Sequence, residues 1–188
     1  FGVVIDTEKG GEIMYQYEGQ TVLAIDPGLE ENLKDAVFDF KETPNGMGFT
    51  SDFRTMYFTD TAARHIYLFD YDVDTGNISR QRIFVEVPYG QGLPDGMTVD
   101  SDGFIWSARW DGSALYRYSP DGIEDKRILF PAKKVSSVTF GGKDFSDIYV
   151  TTAGGQNKDL EGSGAGGLFR LNLGIKGSPE FLSGICLL

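Results

Sequence analysis

Two short segments of this sequence carry oxygen-bearing side chains in the same local frame. Asn45 lies in Pro44-Asn45-Gly46-Met47, and Asp95 lies in Pro94-Asp95-Gly96-Met97. An amide oxygen and a carboxylate are hard ligands, so a converging pair of this kind suits Ca²⁺, Mg²⁺ or Mn²⁺ better than a soft metal ion. The two residues therefore predict a divalent-cation site, provided that the fold brings them together.

The same tripeptides are also ordinary turn sequences, in which Asn or Asp hydrogen bonds to its own backbone. The spacing alone leaves both interpretations open. The frame recurs in front of a strand pattern rather than between the two strands of a hairpin, and this favours the ligand interpretation. A third repeat places Ser136 at the equivalent position, as a weak ligand or as a group that positions one.

The elements that carry these residues are predicted by three repeated units, each with three short strand patterns. The patterns are 44–49, 56–60 and 66–70; 94–99, 104–108 and 115–118; and 136–140, 148–152 and 168–171. A more variable fourth strand follows in each unit, at 81–87, 125–130 and 179–182. Four short strands at a pitch of roughly 40 to 50 residues are typical of a β-propeller blade. An early partial unit over 13–23 brings the count to about three and a half blades.

The predicted fold class is therefore all-β, a β-propeller of four-stranded blades, with 1–188 as one domain. Innermost strands of a propeller line its central channel, so equivalent positions of successive blades converge at one mouth of the channel. Propellers close with about four to eight blades. An open arc would leave two unpaired sheet edges, so we expect N-terminal blades missing from this sequence or a second chain that completes the ring.

Composition excludes several classes of protein. The 17 Lys and Arg residues against 28 Asp and Glu give a net charge of −11, which disfavours binding to nucleic acid or to an anionic membrane surface. A hydrophobic content of 40% with 13% aromatic residues can build a core, which excludes a disordered chain. The single cysteine, Cys186, cannot form an intrachain disulfide and indicates a reducing, cytoplasmic compartment.

The sequence resembles the senescence-marker-protein/gluconolactonase/luciferin-regenerating-enzyme family, to which regucalcin belongs. The matching stretches occur in the family's order, at 44–47, 57–60, 69–72 with 75–76, 93–97, 103–108, 138–142 and 149–152. The segment 11–19 fits the preceding half-blade of the family. The resemblance implies a six-bladed propeller with one divalent metal ion at the channel mouth. Ca²⁺ is the preferred ion, and Zn²⁺, Mn²⁺ and Mg²⁺ are alternatives.

The family's metal ligands are a Glu in the first blade, an Asn that matches Asn45 and an Asp that matches Asp95. A further Asn, upstream in the family, positions the substrate. Neither the Glu nor the upstream Asn has a counterpart here, because Glu8, Glu12 and Glu18 lie in the wrong part of the repeat.

The resemblance implies a metal-dependent hydrolase that acts on a sugar lactone or a related ester, a small molecule. The cation would polarise the lactone carbonyl for attack by water. In this scheme Asn45 is a ligand, Asp95 is both a ligand and a general base, and Arg109, Trp110 and Thr152 are candidates for substrate binding. The alternatives are a non-catalytic propeller that binds calcium or another ligand, and an inactive fragment.

Overall fold

The structure, a computed structural model, describes residues 13–17, 20–25 and 43–179, which fall in two compact units divided between Lys41 and Glu42. In the first unit β1 (Ile13–Tyr17) pairs in antiparallel fashion with β2 (Gln20–Ile25). This pair agrees with the predicted partial unit. The predicted fourth strand at 179–182 lies almost wholly outside the described residues, and so do Cys186, Glu8, Glu12 and Glu18.

The second unit contains three antiparallel sheets that follow one another along the chain. The first is β3 (Pro44–Phe49), β4 (Thr55–Asp60), β5 (His65–Tyr71) and β6 (Ile78–Glu86). The second is β7 (Leu93–Val99), β8 (Ile105–Trp110), β9 (Ala114–Tyr118) and β10 (Glu124–Leu129). The third is β11 (Val135–Gly141), β12 (Asp147–Thr152) and β13 (Leu168–Asn172). In each sheet the spatial order equals the chain order. The first two predicted four-stranded blades are confirmed, and the third sheet has three strands among the described residues.

Burial follows the position of each strand within its sheet. All five residues of β9 are buried, as are Ile105–Arg109 of β8, because these central strands have a neighbouring sheet on both faces. The outer strand β10 is exposed at five of its six residues. The central strands of the second sheet therefore form nearly unbroken buried runs, whereas its outer strand accommodates charged residues.

Two hydrophobic cores lie between successive sheets. The core between the first and second sheets is built from Tyr57, Ile66, Val85, Val87, Met97, Ile105, Ala114, Tyr116 and Tyr118. The core between the second and third sheets is built from Trp106, Ala108, Leu115, Phe130, Val135, Val138, Phe140, Ile148 and Val150. Sheets that bury both faces against neighbours in chain order have the packing of propeller blades.

The innermost strands of successive sheets approach one another closely at two glycines. A Cβ on Gly46 of β3 would lie 2.4 Å from the Met97 backbone nitrogen and 2.8 Å from the Asp95 backbone oxygen in β7. A Cβ on Gly96 would lie 2.8 Å from the Ser136 backbone oxygen in β11. Glycine is therefore needed at this position of the frame because the next blade's backbone occupies the space of a side chain.

Replacing Gly46 with alanine should lower the free energy of unfolding by about 1–3 kcal/mol, because β7 can make room only by a backbone shift. Gly141→Ala is the matched control in another innermost strand. Its added Cβ would meet the edge of the Tyr149 ring at 3.1 Å, and a ring can move. Urea unfolding of the full-length protein measures both changes. Equal stability of the two variants would contradict the close approach.

A one-turn helix, α1 (Lys158–Glu161), interrupts the connection between β12 and β13, which the glycine-rich sequence does not predict. No helix in the described part of the chain is long and apolar enough to cross a membrane.

Candidate functional site

Asn45 and Asp95 both lie in a β-bulge at the start of an innermost strand. The pairing of β3 with β4 shifts register between Pro44 and Met47, and the pairing of β7 with β8 shifts between Pro94 and Met97. A bulge re-aims a side chain and is common beside functional sites. The repeated frame is therefore part of an innermost strand rather than a turn between two strands.

The third innermost strand repeats the irregularity, since β11 shifts register against β12 between Val135 and Ser137. Ser136 lies within this shift, as predicted from the repeat. Its hydroxyl is 2.9 Å from the Thr151 hydroxyl of β12. Ser136 is therefore engaged with its own sheet, at the position where the other two sheets carry Asn and Asp.

The structure brings Asn45 and Asp95 close together across the first two sheets, where β3 and β7 approach one another at Gly46. The Asn45 side chain is exposed, and its amide lies near enough to the Asp95 carboxyl, which is only 9% exposed, to influence the pKa of that carboxyl. Burial raises the pKa of Asp95 above its ordinary value, and hydrogen bonds from Asn45 and the Gly96 backbone N–H offset only part of the increase. A half-desolvated carboxylate beside an amide is stabilised by a bound cation.

Thr61, in the turn after β4, joins this pair. The Thr61 hydroxyl donates a hydrogen bond of 2.8 Å to the Pro94 carbonyl, and the Asn45 Nδ2 group donates one of 3.3 Å to the Thr61 hydroxyl. Thr61 thus contacts both strands that carry the predicted ligands. Sequence reasoning missed it, because the equivalent positions of the next two repeats hold Trp110 and Ala153 and no pattern marks the threonine.

Asn45 and Asp95 supply part of the ligand set that a hard cation needs. The Asn45 carbonyl oxygen and the Asp95 carboxylate are two oxygen donors of the kind that Ca²⁺ and Mg²⁺ prefer. Ca²⁺ takes six to eight oxygen ligands, so two donors are a partial set. Within residues 43–179 no group of three or more His, Cys, Asp or Glu side chains could hold a metal ion.

Arg109 lies one strand away from the bulge, in register with Pro94. Its side chain is fully buried between the first two sheets, with the guanidinium 4.6 Å from the Tyr116 ring centre. Its Nη2 donates a hydrogen bond of 2.6 Å to the Tyr118 hydroxyl, and its Nη1 hydrogen bonds to Ser107. These contacts hold the Arg109 guanidinium within its own sheet. Its role in substrate binding stays a prediction.

Thr152 occupies the equivalent place in the third sheet, in register with Val135. Its buried hydroxyl lies 2.9 Å from the Gly164 carbonyl and 3.0 Å from both the carbonyl and the N–H of Gly167. Thr152 therefore holds the loop between β12 and β13 at the end of the sheet that carries Ser136. Its predicted contact with substrate is untested.

Trp110 is half-buried at the end of β8, in register with Leu93. The Lys134 ammonium lies 5.4 Å from its ring centre, and Lys134 also pairs with Glu161 of α1. Among the three predicted substrate-binding residues Trp110 is the one that retains substantial exposed surface. Its ring face is the kind of surface on which a sugar ring packs, but no contact tests the prediction.

The connection that enters β7 is fixed by Arg64, which sequence reasoning did not single out. Arg64 donates hydrogen bonds to three backbone carbonyls, those of Val87 (3.1 Å), Pro88 (2.7 Å) and Gly92 (2.7 Å). Its guanidinium lies 4.7 Å from the ring centre of Tyr89, a side chain that is 91% exposed. The exposed Tyr89 ring is thus carried on a braced loop six residues before Asp95.

Comparison with known proteins gives a consistent set of relatives. A family model described as SMP-30/Gluconolactonase/LRE-like region matches residues 2–154. A pentonolactonase of Haloferax volcanii is 51% identical over 151 residues, which are 77% of this chain and 52% of that protein. Regucalcin of Homo sapiens is 35% identical over 150 residues, 77% of this chain and 50% of that protein.

Solved structures agree with these relatives. A luciferin-regenerating enzyme superimposes with a TM-score of 0.66 at 32% identity, and a calcium-binding regucalcin of Agrobacterium tumefaciens with a TM-score of 0.68 at 30% identity. Each match covers 73% of this chain and 48% of the other. The chain thus spans about half the length of the curated relatives it matches.

Proposed function

Because the chain belongs to the SMP-30/gluconolactonase/LRE-like family, we propose that the full-length protein is a lactone hydrolase whose site includes Asn45 and Asp95. The observation that carries the proposal is the proximity of these two residues at equivalent bulges of neighbouring blades. A relative that is 51% identical bears the name pentonolactonase, which favours a sugar lactone as the substrate.

We propose further that the site holds a divalent cation through the Asn45 carbonyl oxygen and the Asp95 carboxylate, with the remaining ligands from elsewhere. When bound, the cation would polarise the lactone carbonyl and help to ionise water. Ca²⁺ is the preferred ion, because both donors are oxygen atoms and a solved relative is named a calcium-binding protein. Zn²⁺, Mn²⁺ and Mg²⁺ are the alternatives.

In the reaction a water molecule adds to the lactone carbonyl carbon and the ring C–O bond breaks. The water proton moves first to the Asp95 carboxylate, which we assign as the general base, and then from Asp95 to the ring oxygen, which leaves as a hydroxyl group. The product is an open-chain hydroxy acid. The neutral Asn45 amide contributes a donor atom without adding charge, so the site keeps a net positive potential for the developing oxyanion once the cation is bound.

The substrate is placed by residues at the same end of the blades. Trp110 offers a partly exposed ring on the strand beside Asp95, and Tyr89 offers a fully exposed ring on the loop before it. Arg109 and Thr152 are buried, and their side chains bond to groups of their own sheets. We therefore propose Trp110 as the direct contact among the three predicted substrate-binding residues, and structural roles for Arg109 and Thr152.

The test is lactone hydrolysis by the full-length protein, followed by proton release. A pentono-1,4-lactone and glucono-δ-lactone are assayed after chelator treatment and after return of Ca²⁺, Zn²⁺, Mn²⁺ or Mg²⁺ singly. We expect turnover that is lost with chelator and restored by at least one ion. Full turnover in chelator would contradict the metal requirement. Absence of turnover with every ion on both lactones would contradict the hydrolase.

A second candidate is a non-catalytic calcium-binding propeller, favoured by the name of the Agrobacterium tumefaciens relative. Calorimetry with Ca²⁺ on the same preparation separates the two functions. Tight Ca²⁺ binding without turnover of either lactone would support the binding module over the enzyme.

A further inference from the structure

We propose that Thr61 is a positioning residue that orients the Asn45 amide so that its carbonyl oxygen, rather than its nitrogen, faces the cation. The inference rests on the proposed metal site. It concerns a hydroxyl group that carries no repeat signal and contributes no ligand itself.

The direction of each hydrogen bond follows from the chemistry of the partners. The Pro94 carbonyl oxygen can only accept a hydrogen bond, so the Thr61 hydroxyl must donate its single proton to it, with 2.8 Å between the two oxygen atoms. Toward Asn45 the Thr61 oxygen can then act only as an acceptor, across 3.3 Å. The group of Asn45 that faces Thr61 must therefore be the NH₂ group. The oxygen and the NH₂ group of an Asn amide have similar shapes, so they are told apart by their hydrogen-bond partners.

The orientation leaves the Asn45 carbonyl oxygen free to act as a ligand. With its nitrogen toward Thr61, the amide turns its carbonyl oxygen away from Thr61. Among the described residues no hydrogen-bond donor reaches that oxygen, so its lone pairs are available to a cation near the Asp95 carboxyl.

Thr61 also ties the two predicted ligands to one another. It follows the end of β4 in the first sheet, and its acceptor Pro94 directly precedes Asp95 in the second sheet. A change in the spacing of the two blades would lengthen this hydrogen bond and turn Asn45 at the same time. The hydroxyl thus couples the orientation of one donor to the position of the strand that carries the other.

Thr61→Val in the full-length protein removes the hydroxyl and keeps the side-chain shape. We expect it to weaken Ca²⁺ binding by about 10- to 100-fold in calorimetry, the usual effect of removing a group that orients a ligand. Thr61→Ser keeps the hydroxyl and should restore affinity to within a few-fold. Thr50→Val is the matched control, since its hydroxyl bonds to Asp52 at 2.6 Å at the far end of β3, and it should leave affinity unchanged.

Three outcomes are informative. Unchanged affinity in Thr61→Val, with a wild type that binds Ca²⁺, would overturn this inference alone. Equal losses in Thr61→Val and Thr61→Ser would also overturn it, because packing rather than the hydroxyl would then be responsible. A wild type that binds no divalent cation would contradict the proposed metal site instead.

The orientation itself has a readout that needs no metal. In the chelator-treated protein the side-chain amide proton of Asn45 that bonds to Thr61 should exchange slowly with water in NMR. The slow exchange should persist in Thr61→Ser and be lost in Thr61→Val. Equal exchange rates in the wild type and Thr61→Val would contradict the assignment, whatever the metal affinity.

Discussion

Replacing Asp95 with alanine in the full-length protein is expected to lower kcat/KM for a sugar lactone by at least about 10²- to 10³-fold, with loss of the Ca²⁺-induced rise in Tm. The substitution removes both the charged donor of the proposed cation site and the proposed general base. Asp95→Asn should behave in the same way, because an amide keeps the shape of the side chain but accepts no proton.

The sequence supplies a matched control for this experiment. Asp121 lies in Pro120-Asp121-Gly122, which is the same tripeptide as Pro94-Asp95-Gly96, but in the exposed turn between β9 and β10. Asp121→Asn should leave kcat/KM and the Ca²⁺ response unchanged. If Asp121→Asn and Asp95→Asn were equally active, the Asp95 carboxylate would not be needed for turnover. Its assignment as metal ligand and general base would then be wrong.

Loss of activity in Asp95→Asn must not be confused with unfolding. In the chelator-treated protein the Asp95 carboxylate is buried without a cation beside it. Burial of this charge lowers the stability of the folded protein. Asp95→Asn should therefore have a Tm in chelator equal to that of the wild type or above it. A Tm several degrees lower in chelator would indicate that Asp95 serves the fold rather than the site.

The second large effect is expected in the turn between β7 and β8. Asp100→Ala should lower the free energy of unfolding by about 3–5 kcal/mol, because it removes the partner of two nitrogens of the buried Arg117 guanidinium and leaves it only the Asp125 carboxylate, 2.8 Å from Nη1. Asp100 is 2% exposed, and its Oδ2 lies 2.7 Å from Arg117 Nη2 and 2.8 Å from Arg117 Nε. The same oxygen accepts a hydrogen bond of 2.9 Å from the Trp106 indole.

The other carboxylate oxygen of Asp100 organises the turn. Its Oδ1 accepts hydrogen bonds of 3.0 Å from the backbone N–H groups of Asp102 and Phe104. Asp100→Ala would thus remove acceptors for an indole, two backbone N–H groups and a guanidinium at once. Asp100→Asn keeps one acceptor oxygen and should cost less than alanine, since part of the turn would survive.

Asp102→Ala is the control for Asp100→Ala, two residues along the same turn. Its carboxylate is 68% exposed and lies 3.6 Å from Arg117 Nη2, a surface contact that contributes at most about 1 kcal/mol. Urea unfolding of the three variants gives the ranking. A loss below about 1 kcal/mol in Asp100→Ala would show that Asp125 or water replaces Asp100 as the partner of Arg117, and would contradict the prediction.

The blades were predictable because their signals are local. Strands such as β5 and β9 are short runs of aromatic and aliphatic residues bounded by turn residues, and each unit repeats the run in the same order. A strand pattern needs only neighbours in the sequence to be visible. The structure confirms the predicted strands of residues 43–179, and it adds α1, a single helical turn hidden in a glycine-rich loop.

The frame around Asn45 and Asp95 was only partly readable. From the sequence, the frame could be either a turn or a ligand position. The tripeptide Pro-Asp-Gly does form a turn elsewhere in the chain, at Asp121. Only pairing with the neighbouring strand creates the register shift that makes a bulge, and strand pairing is not encoded in three residues. The reason for Gly46 was hidden as well, because the backbone it accommodates belongs to a different blade.

By itself, the sequence determined the all-β repeat, the positions of the innermost strands and the two oxygen-bearing residues at their starts. The tertiary structure decided that Asn45 and Asp95 lie close together, that Thr61 bridges their strands and that the Arg109 guanidinium packs on the rings of Tyr116 and Tyr118. The physical reason is the distance along the chain over which each effect acts. Strand and turn preferences act between residues close in the chain, whereas contacts between blades join residues far apart in it, 16 apart for the bond from Asn45 to Thr61 and 38 apart for the bond from Thr59 to Met97.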